Sequence, residues 1–255
     1  LMDTNVLLKK NNYVATIILN RPPANSINIH VREELYAIVK ELEDDNTIRV
    51  LIITGAGDKG FSAGMDVTDV ANLDKGPDAI ELFNYIDRYP KPVIAAINGY
   101  ALGGGCELAL ACHFRLMTDM PKAFIGCPEV NLGITPGWGG IQRMTRLLGR
   151  SKALDCILFS KRLTPQEALS IGLVDRVFPH EHFMEEVQNF ADSLARRAPL
   201  AVSCILKGMI TGIEKGIDEG LKVDRQCSAM LAKTEDAAEG FMAFAQKREP
   251  VFKGR

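Results

Sequence analysis

The chain has 255 residues, 47% apolar and 24% charged, a balance that suits an ordinary soluble globular protein and excludes a fibre, a disordered tail or a disulfide-stapled miniprotein. Its 30 Lys and Arg against 32 Asp and Glu give a net charge of −2 with no basic cluster, so nucleic acid is not an expected partner. Cys106, Cys112, Cys127, Cys156, Cys204 and Cys227 lie scattered in apolar contexts without a CxxC pair, which points to reduced thiols, a reducing cytoplasmic compartment and no metal site.

At the N-terminus Asp3 precedes Lys9 and Lys10, the reverse of a signal peptide's charge order, so secretion is not expected. Residues 6–8 and Val14–Leu19 flank Asn11 and Asn12 and predict a hairpin. Val31, Leu35, Ile38, Val39 and Leu42 recur at helical spacing, and His30 would cap or start that helix. Residues 50–54 predict a short buried strand, Ile80, Phe83 and Ile86 a second helix, and Val93–Ile97 a fully apolar strand. Gly103 to Gly105 open a short helix over 106–111, followed by a strand over Phe114–Thr118 with His113 at its edge. The most apolar stretch, 92–112, is broken by Asn98, several glycines and Glu107 and cannot span a membrane.

This alternation implies an α/β domain. Past Pro136 the one strand candidate is 174–178, and helices take over. Phe183, Val187, Phe190 and Leu194 line one helix face, Ala198 and Pro199 interrupt it, and helices are predicted over 200–213, 218–232 and 237–246. We therefore divide the chain into a core, 1–197, that carries the site, and a helical C-terminal region, 198–255, that packs on the core or on a neighbouring subunit. There is no internal sequence repeat and no low-complexity tract.

Two motif matches fail on context. Residues 55–60 fit GxGxxG after a strand, but no helix follows and the next strand ends at Asn98 rather than at an acid that could hold a ribose. Residues 60–64 fit GxSxG, with Asp155 or Asp175 and His180 or His182 in the order a Ser hydrolase needs. A glycine loop, however, precedes Ser62 where a strand should lead into it. His180 and His182 beside Glu181 have no HExxH motif and no third ligand, so they read as solvated residues.

The stronger signal runs from Asn98 to Glu107. A strand, a glycine run and a helix leave backbone N–H groups free at a helix N-terminus, where negative charge is favoured. No GK[ST] follows, so this is not a phosphate loop. Glu107 stands three residues after Gly104, one helical turn on, which sets a carboxylate beside the oxyanion donor. A tight turn with a capping Glu fits these residues alone equally well. A second carboxylate, Glu129, lies in a loop over 126–140 too apolar and glycine-rich for ordinary surface, although a surface Glu is the plainer alternative. Two carboxyls in apolar surroundings can hold different protonation states, as acid and base work requires.

These residues resemble the crotonase (enoyl-CoA hydratase and isomerase) superfamily. The segments 61–66, 98–107, Pro128 and Glu129 with Leu132 and Gly133, 136–140, and Gln142 with Arg143 occur in that family's order, and the likeness extends from 20–22 to Lys247, Arg248, Phe252 and Lys253. The resemblance implies an α/β spiral of repeated ββα units with a helical C-terminal trimerisation region, trimers often pairing as hexamers. It implies an oxyanion hole made by the backbone N–H groups of Met65 and Gly104, and catalytic roles for Glu107 and Glu129. Family hydratases carry both glutamates, whereas isomerases keep one. The thioester substrate's coenzyme A would lie along Arg21, Ala24, Ala63 and Asp66, with Lys247, Phe252 and Lys253 reaching in from a neighbouring chain. No further cofactor is implied. The expected activity is hydration of a 2-enoyl-CoA to a 3-hydroxyacyl-CoA in acyl-CoA or fatty acid metabolism. The rivals are an enoyl-CoA isomerase, a cyclic dienoyl-CoA hydratase, and a catalytically silent binding protein of the same fold.

Overall fold

The computed structural model describes residues 4–72 and 75–255. The chain opens with β1 (Val6–Asn11) and β2 (Val14–Leu19), an antiparallel hairpin in which Val6 faces Leu19, and continues into α1 (Ile29–Asp44). Asn12 turns the hairpin at φ 51°, the left-handed region that asparagine tolerates. The cap of α1 is Asn28, whose side chain accepts the Val31 N–H at 3.0 Å. His30, exposed, is the second residue of the helix, so it stands at the helix start as expected but does not cap it: the amide oxygen of Asn28, one residue before Ile29, reaches the orphan Val31 N–H, and an imidazole two residues further along does not.

Three turns of one pattern follow. Each gives a strand to a large sheet, a strand to a small sheet, and then a helix. The first is β3 (Val50–Gly55), β4 (Gly60–Ser62) and α2 (Ala79–Asp87); the second is β5 (Val93–Ile97), β6 (Tyr100–Leu102) and α3 (Gly104–Ala111). The third is β7 (Phe114–Thr118), β8 (Ile125–Gly126) and α4 (Gly140–Leu148), with a 3₁₀ turn at Glu129–Leu132 between the last two. After α5 (Arg150–Leu158) and α6 (Pro165–Ile171), β9 (Arg176–Phe178) returns to the large sheet, whose order is β1-β2-β3-β5-β7-β9, parallel from β2 onward. The small sheet, β4-β6-β8, is parallel throughout. This is the α/β spiral of ββα units that the resemblance implied.

Alternation of side chains sets the layers. Ile17, Leu51, Ile53, Ala95 and Ile97 pack with α1, α2 and α3 in the main core. Their neighbours Val50, Ile52, Ile94 and Ala96 face the opposite way and pack on Phe183, Val187 and Ala191 of α7 (Phe183–Ala195). The tail is α8 (Pro199–Lys215), α9 (Ile217–Leu231) and α10 (Glu235–Gln246). Pro199 takes the first helical position of α8, where a missing N–H costs nothing. Within the chain, the tail is tied to the core by an Arg88–Glu214 ion pair at 2.8 Å and by Arg49, which donates to the Phe252 carbonyl at 2.9 Å. Phe241 and Phe244 on α10 are 78% and 86% exposed, an apolar face left uncovered by this chain. Among the described residues no helix is long and apolar enough to cross a membrane.

Candidate active site

The two amides expected to form the oxyanion hole are brought together. Met65 forms a parallel bridge with Ile27, in which Ile27 N donates to Gly64 O at 2.7 Å and Asp66 N donates to Ile27 O at 3.0 Å. The bridge thus uses the atoms flanking Met65, and the Met65 N–H points to the other side. Gly104 begins α3, so its N–H has no partner within the helix. Among the described residues, no hydrogen bond takes up either N–H.

Close backbone approach is what makes this possible. A methyl on Gly64, which sits at φ 92°, would lie 2.6 Å from Gly104 N, and one on Gly104 would lie 2.3 Å from the Trp138 ring and 3.3 Å from Met65 N. Ser62 fixes the loop between them. Its hydroxyl, fully buried, donates to Asn25 O at 2.7 Å and accepts the Gly64 N–H at 3.0 Å.

Glu107 is 2% exposed on α3, and its Oε1 accepts the N–H of Trp138 at 2.7 Å and of Gly140 at 2.9 Å. Gly140 opens α4, so the carboxyl sits at a second helix N-terminus. Burial pushes Glu107 up to about 7; the Gly140 and Trp138 amides pull it back, and the charge of Glu129 pushes it further. Glu129, at the start of its 3₁₀ turn, is half-buried, and burial raises it too. Its Oε2 is buried and has no hydrogen-bond partner among the described residues, and its Oε1 lies 3.1 Å from where a methyl on Gly103 would stand. Gly103 immediately precedes Gly104. The two acids therefore sense one another and flank the same glycine turn as the free amides, an arrangement able to stabilise an oxyanion while moving protons beside it.

The remaining expected residues fall into two groups. Arg21 bonds Asp66 Oδ2 at 2.8 Å and Ser26 O at 2.9 Å, while Ala63 N donates to Ala24 O at 2.9 Å, so Arg21, Ala24, Ala63 and Asp66 form one connected ledge next to Met65. The Thr68 hydroxyl, more than Arg21, holds the Asp66 carboxyl below the usual carboxylate range. Lys247, Phe252 and Lys253 lie elsewhere. Lys247 ends α10, Phe252 packs on Gly240, and Lys253 N donates to Asp236 at 2.7 Å. Among the described contacts none joins these three to the ledge within one chain.

The rejected motifs are accounted for by position. Residues 55–60 connect β3 to β4, and among the described residues the Ser62 hydroxyl bonds only main chain. His180 and His182 occupy an exposed 3₁₀ turn, and no cluster of metal-ligating side chains occurs among the described residues. All six cysteines are free. Sequence reasoning assigned no role to the Trp138 and Gly140 amides or to Arg143. The glycine-dense run before α4 was the available signal, because only such a run brings main-chain donors to a buried carboxyl.

The pattern of the enoyl-CoA hydratase/isomerase family matches residues 9–255. The chain is 38% identical over 255 residues to the crotonyl-CoA hydratase of Syntrophomonas wolfei, covering 97% of each. It is 37% identical over 257 residues to the 2,3-dehydroadipyl-CoA hydratase of Escherichia coli, covering 99% of this chain and all of that one (100%). The crystal structure of an enoyl-CoA hydratase from Bacillus anthracis superposes with a TM-score of 0.92 at 36% identity, over 98% of this chain and 100% of that one. Relatives named for different acyl groups thus match at nearly equal identity over nearly their whole lengths, so the likeness is to a family of enzymes rather than to one member: the chain belongs to the enoyl-CoA hydratase/isomerase family of the crotonase superfamily.

Proposed function

We propose that the protein adds water across the C2=C3 bond of a 2-enoyl-CoA thioester to give the 3-hydroxyacyl-CoA. The observation that carries this reading is the pairing of a buried carboxyl, Glu107, with a half-buried one, Glu129, whose charge it feels, at one glycine turn. An enoyl thioester becomes electrophilic at C3 only when its carbonyl oxygen can take up charge. The N–H groups of Met65 and Gly104 receive that charge, each contributing roughly 3 kcal/mol when aimed at the developing oxyanion.

Glu107 enters as the carboxylate, its charge held by two amides, and takes a proton from the water whose oxygen bonds to C3. The pair enters sharing one proton, which in the reactive form sits on Glu129, and Glu129 delivers it to C2 as the enolate collapses. Proton return from Glu107 to Glu129 resets the pair, so one water is consumed and no cofactor is used beyond the coenzyme A of the substrate. The coenzyme A lies along the Arg21, Ala24, Ala63 and Asp66 ledge. The uncovered α10 face meets a neighbouring chain in a homotrimer, or in a hexamer of paired trimers, which brings the partner's Lys247, Phe252 and Lys253 to it. The fine specificity follows the family's acyl-CoA chemistry, with crotonyl-CoA as the first substrate to try because a relative is named for it.

Incubation with crotonyl-CoA should abolish the absorbance of the conjugated thioester and yield a product heavier by one water in mass spectrometry. Conversion of a 3-enoyl-CoA to its 2-enoyl isomer without water uptake would replace hydration by isomerisation. Inertness toward an acyl-CoA panel would leave a binding protein.

A further inference from the structure

Arg143 lies on the first turn of α4, the end of a helix where a cation is electrostatically disfavoured, yet it is only 5% exposed. All three of its guanidinium nitrogens are engaged. Nε bonds Asp87 Oδ2 at 3.0 Å, Nη2 donates to Asn84 Oδ1 at 2.6 Å, and Nη1 donates to the Trp138 carbonyl at 3.1 Å. The plane lies against Gly139, at φ 104°, so closely that a methyl there would stand 2.1 Å from Nη1. One side chain thus ties α2 to the turn 138–140, whose two amides hold Glu107.

Neutralising Asp87 does not account for this placement, since Arg146 already pairs with Asp87 Oδ1 at 2.7 Å. A lysine could not replace the arrangement, because three partners in a plane match a guanidinium fork and not a tetrahedral ammonium. We infer that Arg143 is a positioning residue for catalysis: it clamps the 138–140 turn so that the Trp138 and Gly140 amides keep Glu107 charged and aimed.

The charged and titratable groups that face Glu107 are Glu129 from the 3₁₀ turn, the Cys127 thiol beside β8, and Arg143 from α4. Those around Arg143 are Asp87 and Arg146, with the Cys112 thiol, His113 and Arg115 nearby. Of the groups facing Glu107, Arg143 is the one that favours its ionised form.

This inference rests on the reading of Glu107 as the base, so the test carries one readout that does not depend on hydration. In Arg143→Gln, hydrogen exchange of the peptide spanning 136–144 should accelerate relative to the wild type, whatever the substrate. With crotonyl-CoA the same variant should lose turnover by about one hundredfold while KM stays within about twofold, the signature of a base displaced by roughly 1 Å. The midpoint of the rising limb of kcat/KM against pH should move alkaline. Arg143→Lys keeps the charge but not the fork, so it should show the fast exchange, the low kcat and part of the alkaline shift. Wild-type exchange over 136–144 in both variants, or an unmoved midpoint in Arg143→Gln, overturns the clamp. Inert wild-type enzyme would instead overturn hydration and leave the exchange result to decide on Arg143.

Discussion

Glu107 Oε1 lies 2.9 Å from the Gly140 nitrogen, and the Gly140 Cα is so near the same carboxyl that a methyl on it would stand 2.9 Å from Glu107 Cγ and 3.0 Å from Oε1. The glycine is therefore both donor and wall. Gly140→Ala keeps the N–H but drives a methyl into the carboxylate and into Pro136 Cβ, also 2.9 Å away, so we expect hydration to fall by about tenfold to one hundredfold and stability to drop by about 1–3 kcal/mol. Steady-state kinetics beside a circular-dichroism melt decide this; full activity in a folded variant would mean that the position of Glu107 is not critical.

Glu107→Gln and Glu129→Gln test the acids directly. Each keeps the shape and removes the proton chemistry, so kcat should drop by about 10²–10⁴-fold. Calorimetric binding of a saturated acyl-CoA should be nearly unaffected in both. Either variant turning over at the wild-type rate would take that residue out of the mechanism.

What could be read from the sequence depended on how much chain each feature spans. β2, β3, β5 and β7 are five or six residues of branched and apolar side chains, and α1 has a full stripe, so their periods stand out. β4, β6 and β8 have three, three and two residues, too few to show a period, and without them the three ββα turns are invisible as a repeat. The glycine run with Glu107 was visible because helix start and acid are four residues apart at most. The Trp138 and Gly140 donors were not, because they lie 31 and 33 residues from the carboxyl they hold, and only the spiral brings α4 back to α3.

Ser62 separates this enzyme from a Ser hydrolase. Its hydroxyl serves two main-chain partners, Asn25 O and Gly64 N, and among the described residues no imidazole bonds it, so a fluorophosphonate should leave it unlabelled. Ser62→Ala strands both partners in a fully buried place, and we expect a loss of about 1–3 kcal/mol in denaturant unfolding. Turnover should fall as well, because Gly64 precedes the Met65 donor. A stoichiometric label on Ser62 would reopen the hydrolase reading.

The protonation of Glu107 links activity and stability with opposite signs. In the folded chain the group is raised from 4.5 to about 7, chiefly by burial, so between those values the folded state holds a proton that the unfolded state has lost. Its contribution to stability is therefore fully present below about pH 4.5 and lost as pH rises through about 7, up to about 3 kcal/mol in all. A base must be ionised, so kcat/KM should rise over the range in which stability falls, with a midpoint near 7 that belongs to the Glu107 and Glu129 pair. Glu107→Gln cannot ionise and its amide oxygen can still accept from Trp138 and Gly140. The variant should gain thermal stability over the wild type progressively from pH 5 to pH 8 while losing the rising limb. Melting both proteins across that range checks the linkage: a constant difference would show that Glu107 titrates alike in the folded and unfolded chains, and the rising limb would then need another owner.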